Sequence, residues 1–195
     1  KSTFMKSPKL FSDLKKRHSA REVGRRDLIG RSNEALSRSK RAIFALHRDD
    51  PKGAATLLKD AADRFKTIEA KFKRFPDLQH EGAYRAALEE YAEALLFQSY
   101  LADRKLGKID ARAMEPSIYL AGLSDTTGEI VRYAMRQVTA GNTQAVEEAR
   151  EVVAMVIEFL LGMDLTGYLR TKFDQSKKNY RRLEEMVYDL SLRDR

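Results

Sequence analysis

Residues 51–75 constrain this chain more tightly than any other stretch. Ala54, Leu58, Ala61, Phe65, Ile68, Phe72 and Phe75 advance by four and three residues, the spacing that stacks side chains on one face of an α-helix. Asp49, Asp50 and Pro51 supply N-cap and first-turn chemistry at its start, and Pro76 ends it. The same period recurs elsewhere. Residues 20–48 carry Leu28 or Ile29, Leu36, Ile43 and Leu46, and a third helix is predicted over 78–104. Residues 116–140 place Leu123, Thr127, Ile130 and Ala134 on one face, closed by Gly141 and Asn142 in a left-handed cap. Val146, Ala149, Val153, Val156 and Leu160 lead the next helix. After a break at 162–167, the last has Leu169, Phe173, Tyr180, Leu183, Val187 and Leu190, interrupted only by Ser176. Residues 105–110 read as a turn around Gly107 with a short helical piece after it, and 1–18 as a basic, frayed start running into a helix. No segment alternates with the period of a strand, so the predicted fold class is all-α.

At 195 residues the chain is long enough for one domain with its own core. Apolar residues at 43% and charged residues at 34% fit a water-facing helical protein, and no run of eighteen apolar residues offers a membrane span. There is no cysteine, which excludes disulfides, thiolate nucleophiles and cysteine-ligated metals. No signal peptide is recognisable, so a cytoplasmic setting is expected. Phosphate-cradling loops, dinucleotide fingerprints and nucleophile elbows are all missing. His18, His47 and His80 lack helical partners of ligand type, and each is read as a local hydrogen-bonding residue rather than a zinc ligand.

One residue breaks the pattern. In the stripe Ala83, Ala87, Glu90, Ala94, Phe97, Leu101, a carboxylate stands where an apolar side chain belongs, and Glu93 adds a second one turn on. Burying ionised carboxylates is costly without a metal, a cation or several hydrogen bonds. Asp125 and Glu129 form a second acidic pair, so two helices can pool four carboxylates around a hard cation such as magnesium. Asp125 and Glu129 lie nearly opposite their own helix's apolar face. That position fits either a solvated face, with Glu129 pairing to Arg132, or a face turned to a cavity, and periodicity alone leans towards solvent. Charge is divided along the chain: residues 1–75 hold 21 Lys or Arg against 9 Asp or Glu, whereas 76–195 hold 16 against 20. A basic part that attracts polyanions beside an acidic part that holds metal suits a nuclease.

Several strings resemble one family. SKRAIFALHR at 39–48, EEYAEALLFQ at 89–98 and YLAGLSDTTGEIVR at 119–132 are similar to stretches of translin-associated factor X (TRAX), a translin-family protein. VTAGN at 138–142 resembles both branches of the family, and VYDLSLR at 187–193 is nearer to translin. The resemblance covers nearly everything after about residue 20 and leaves 1–19 as a basic amino-terminal extension to a single domain at 20–195.

The resemblance implies a seven-helix translin-like bundle whose members build closed, roughly octameric shells with the acids facing an inner cavity. It also implies metal-dependent endoribonuclease activity with Mg2+ or Mn2+, carried by Glu90, Glu93, Asp125 and Glu129. Of these, Glu129 serves as either a fourth ligand or the group that orients water. Lys40, Arg41, Arg132 and Arg136 are candidate phosphate contacts, with surface ion pairing as the competing role. RNA, and single-stranded DNA besides, are the expected partners, with a homo-oligomer or a translin-type partner completing the assembly. TRAX-like acids joined to a translin-like end favour self-assembly of a prokaryotic kind. The alternative is a non-catalytic translin-like shell that binds RNA or single-stranded DNA; a plain helical scaffold is a third reading.

Overall fold

The computed structural model describes residues 9–107, 109 and 114–193. Six α-helices account for most of them: α1 (Lys9–His47), α2 (Pro51–Glu69), α3 (Gly82–Asp103), α4 (Pro116–Thr139), α5 (Gln144–Leu161) and α6 (Gly167–Arg193). No strand occurs among the described residues, so the all-α expectation holds. Six α-helices, not seven, lie among the described residues. The stripe of α2 continues in sequence to Phe75, but the helix stops at Glu69 and the chain passes through turns into a 3-10 helix at Pro76–His80. Pro76 has no amide to donate and biases the residue before it away from helix. Phe72 and Phe75 still pack against the core from this irregular segment. The short helix anticipated after Gly107 falls largely outside the described residues.

Helix ends follow local chemistry. Asp50 caps α2 by accepting from the Gly53 amide at 2.8 Å, with Pro51 in the first turn. Gly141, with φ of 91°, follows α4 as expected of a left-handed cap. At the amino end, residues 1–8 lie outside the described residues, and α1 runs unbroken from Lys9, so no break separates 9–19 from the rest of the helix.

Packing divides the molecule into two halves joined at α3 and α4. One cluster gathers Leu28, Ala61, Phe65, Ile68 and Leu88 from α1, α2 and α3; another gathers Leu96, Leu123, Val156, Leu160 and Phe173 from α3 to α6. A third bridges the halves through Phe97, Tyr100, Ile130, Val153 and Leu183. The joint between α3 and α4 is unusually close. A Cβ on Gly122 of α4 would lie 2.8 Å from Ala92 Cβ, 2.9 Å from Glu89 O and 3.1 Å from Glu93 N, so only glycine allows this approach. Polar seams run beside it. Ser176 of α6, the gap in that helix's apolar stripe, is fully buried and donates to Ser124 O at 3.2 Å, and Asn179 donates to Thr127 Oγ1 at 2.8 Å.

Much of the positive charge on α1 is spent on intramolecular pairs. Arg21 meets Asp77, Arg25 meets Glu81 and Arg38 meets Asp60, while Asp27 of α1 takes Lys71 from the turn after α2. These join α1 to α2 and to the 3-10 segment. No helix among the described residues is long and apolar enough to cross a membrane.

Candidate active site

Gly122 sets the site's dimensions. By letting α4 touch the α3 backbone between Glu89 and Glu93, it brings the acidic turn of α3 against that of α4. All four predicted carboxylates meet there. The Glu90 side chain retains 19% exposure, Asp125 29% and Glu129 21%, so none of these three is free in solvent. The lean towards a solvated face for Asp125 and Glu129 is therefore corrected. A helix wheel knows only the helix's own apolar stripe; α4 is central, with α3 on one side and α6 across the polar seam on another, and its opposite face is enclosed as well.

The electrostatics show how tightly the acids are held. Burial pushes the Glu93 carboxyl up to about 9, reinforced by the charges of Glu90, Asp125 and Glu129. Burial also raises Glu90; Lys40 opposes this, while Asp125 and Glu129 add to it. Four carboxylates thus feel one another across the α3–α4 joint.

Two partners escaped sequence reasoning. His47, at the end of α1, is 2% exposed, and its Nε2–H donates to Glu129 Oε2, while its ring packs on Phe97 at 4.7 Å between centroids. It was read as a local hydrogen-bonding residue, yet its partner lies 82 positions away. The only signal was its place beside Ile43 and Leu46 on the buried face of α1. Lys172 of α6 binds Asp125 and lies over the Tyr168 ring at 5.1 Å. Burial acts to lower the Lys172 ammonium, but its hydrogen bonds to Asp125 and Tyr168 outweigh that and leave its pKa raised. Nothing in the stripe of α6 marked this lysine apart from its neighbours.

The predicted cations divide. Lys40 approaches Glu90 at 3.8 Å and Arg132 approaches Glu129 at 3.6 Å, so both border the acids. Arg136 instead meets Asp49 at 3.8 Å, and Arg41 lines an open recess beyond Lys40. Among the described residues, no three His, Asp or Glu side chains converge closely enough to hold a metal ion as they stand. Asp125 and Glu129 are turned instead to Lys172 and His47.

The translin family model matches residues 24–194. The chain belongs to the translin family. This translin-family protein is also similar to solved structures, among them apo-NeC3PO (24% identity, TM-score 0.84, covering 94% of this chain and 98% of that one). A second is AfC3PO in complex with duplex RNA (22% identity, TM-score 0.85, 93% and 96%), and a third is AfC3PO by itself (24%, TM-score 0.83, 93% and 97%). At these identities the likeness is one of fold. No curated protein matches the chain.

Proposed function

We propose that this translin-family protein is a TRAX-like, metal-dependent endoribonuclease, and that Glu90, Glu93, Asp125 and Glu129 are its active-site acids. The observation that carries the reading is the convergence of these four carboxylates at the α3–α4 joint, where burial first and the charges of Glu90, Asp125 and Glu129 second lift Glu93 to about 9. A fold gains nothing in stability from such an arrangement, and perturbed carboxylates clustered at a helix joint mark sites of chemistry. The donor set fits a hard divalent cation: four oxygen donors of one charge, with no sulfur and one imidazole at the edge. Glu90, Glu93, Asp125 and Glu129 would hold Mg2+ or Mn2+ after Asp125 and Glu129 turn from their present partners. Such an ion supplies charge neutralisation at the phosphodiester and activation of water.

The protein's own groups supply the rest. His47 Nε2–H donates to the Glu129 carboxylate and Lys172 pairs with Asp125, so each of these buried acids has a partner until it turns to an ion. Glu93 retains a proton on its carboxyl near neutral pH, which spares the cluster one of its negative charges. Lys40 and Arg132 stand beside the acids as cations for the phosphate backbone. No feature here reads base edges, so substrate choice falls to charge, strandedness and access.

A homo-oligomeric shell fits the outer surface. Met155, Phe159 and Leu161 in the second half of α5 and, at the other end of the α5–α6 pair, Tyr188 and Leu192 of α6 are 51–69% exposed, apolar side chains that self-association would cover. One observation favours the alternative of a binding shell without cleavage: Asp125 already pairs with Lys172 and Glu129 with Arg132. The deciding experiment is cleavage of labelled single-stranded RNA with Mg2+, with Mn2+ and with chelator, by the native protein and by the Glu90→Ala, Glu93→Ala double variant. Metal-dependent cutting that the variant loses while still folded upholds the ribonuclease. Tight binding without cutting by the native protein moves it to the binding-shell class.

A further inference from the structure

Phe44 is placed where a structural phenylalanine would not be. It is 54% exposed on α1, although Ala42, Ile43, Leu46 and His47 around it are buried. Lys40 and Phe44 share the outer face of α1 at a spacing of four, and Arg48 follows in the turn just after the helix. Two guanidinium groups lie over the ring, Arg48 at 5.8 Å from its centre and Arg132 of α4 at 5.9 Å. The ring is also adjacent to the acids, because Arg132 pairs with Glu129 and Lys40, one turn before Phe44, pairs with Glu90. On the other side opens a recess of about 680 Å³, lined by Lys40, Arg41, Phe44, Arg48 and the apolar side chains of Ala45 and Leu57. That volume is in the range that accepts a small organic group, roughly 300–1,000 Å³. Among the described residues, Arg41 and Arg48 form no ion pair, unlike most of the arginines on α1.

An exposed aromatic ring, unpaired cations around it and a recess beneath are the components of a stacking site for single-stranded nucleic acid. We propose that Phe44 is a platform on which an unpaired nucleobase stacks, with Arg41 and Arg48 neutralising its flanking phosphates, and that it seats a nucleotide next to the one held at the carboxylates. This rests on the ribonuclease reading above and adds to it the side chain that seats an unpaired base. A base inside a duplex has both faces covered by its neighbours, so the platform takes only a strand whose bases are free. Phenylalanine offers a face and no hydrogen-bonding group, so the site tolerates any base. The ring accepts deoxy and ribo strands alike, because stacking does not involve the 2′-hydroxyl.

The test measures binding in chelator, apart from cleavage. Fluorescence anisotropy is recorded for a labelled single-stranded RNA 12-mer, the same RNA annealed to its complement, a deoxy 12-mer, and RNA 12-mers carrying one abasic site at successive positions. The proteins are the native chain, Phe44→Ala and Phe44→Trp. Phe44→Ala is expected to weaken both single strands by about 5- to 150-fold, the range that follows from roughly 1–3 kcal/mol per stacked base. Duplex binding stays unchanged, Phe44→Trp restores the single strands, and one abasic position weakens the native protein while leaving Phe44→Ala indifferent to it. Equal binding by Phe44→Ala and the native chain overturns the proposal and leaves the ribonuclease reading intact. A loss shared equally by single strand, duplex and abasic strands overturns it too. So does a fall in particle mass of Phe44→Ala by light scattering, which would make the ring a contact between copies. A native protein that neither binds nor cuts RNA removes both readings.

Discussion

Replacing Glu93 by glutamine isolates the cost of the acid cluster. In an unfolded chain this carboxyl titrates near 4.5; in the fold, burial first and the neighbouring carboxylates second push it up to about 9. Between those values the folded protein binds the proton and the unfolded chain does not, so this carboxyl's contribution to stability is greatest below pH 4.5 and falls as pH rises through the window. At about 1.4 kcal/mol per pH unit, the loss between pH 4.5 and 7 is at most about 3.5 kcal/mol. Glutamine has nearly the same shape as the protonated acid and does not titrate, so Glu93→Gln escapes this loss. For a chain of this length, where about 1 kcal/mol shifts Tm by roughly 2–4 °C, the variant should melt up to about 7–14 °C above the native protein at pH 7. The assay is thermal unfolding in chelator at pH 5, 7 and 8.5, at one protein concentration. The gap between variant and native protein should widen with pH, and the stabilised variant should not cut RNA. A gap that is constant across the three pH values, or a variant that melts below the native protein at pH 7, refutes the reasoning.

Gly122→Ala forces the new methyl group against Ala92 and the α3 backbone; it should cost about 1–3 kcal/mol, read from the urea midpoint, and lower cleavage more than RNA binding. Lys172→Met strands Asp125 among other acids, so it should destabilise the protein in chelator and recover part of that loss when Mn2+ is added, measured by thermal unfolding. Asp50→Ala removes the cap on α2 and should cost about 0.5–2 kcal/mol in urea unfolding without changing cleavage, since Asp50 does not touch the acids.

The helices were legible because each carries its apolar stripe intact. All five of Ala54, Leu58, Ala61, Phe65 and Ile68 are buried, as are Val146, Ala149, Val153, Val156 and Leu160. Where a stripe was broken, the break had meaning: Glu90 marks the acid cluster, and Ser176 marks the polar seam with α4. Period alone could not end α2, since Phe72 and Phe75 keep the spacing after the helix has stopped. It also misjudged Asp125 and Glu129, because a wheel drawn for one helix contains no neighbours. His47 and Lys172 were out of reach for a related reason. Their partners lie 82 and 47 positions away, and only tertiary packing introduces them.

The contact at Gly122 has a further consequence. Most helix pairs are spaced by side chains, which change rotamer within nanoseconds and repack when a neighbour is substituted. Here main chain meets main chain, and nothing between the two helices can rotate or yield. The joint works as a fixed gauge: the spread of the four carboxylates is set by backbone dimensions and not by the identity of the surrounding core. Core substitutions should therefore shift the melting temperature long before they shift the chemistry. The backbones that carry the acids part only when the α3–α4 joint itself opens; the Ser176–Ser124 and Asn179–Thr127 hydrogen bonds tie α4 to α6 and can break without it. Side chains at the joint still turn between partners, but the two main chains beneath them have no looser packing short of that opening.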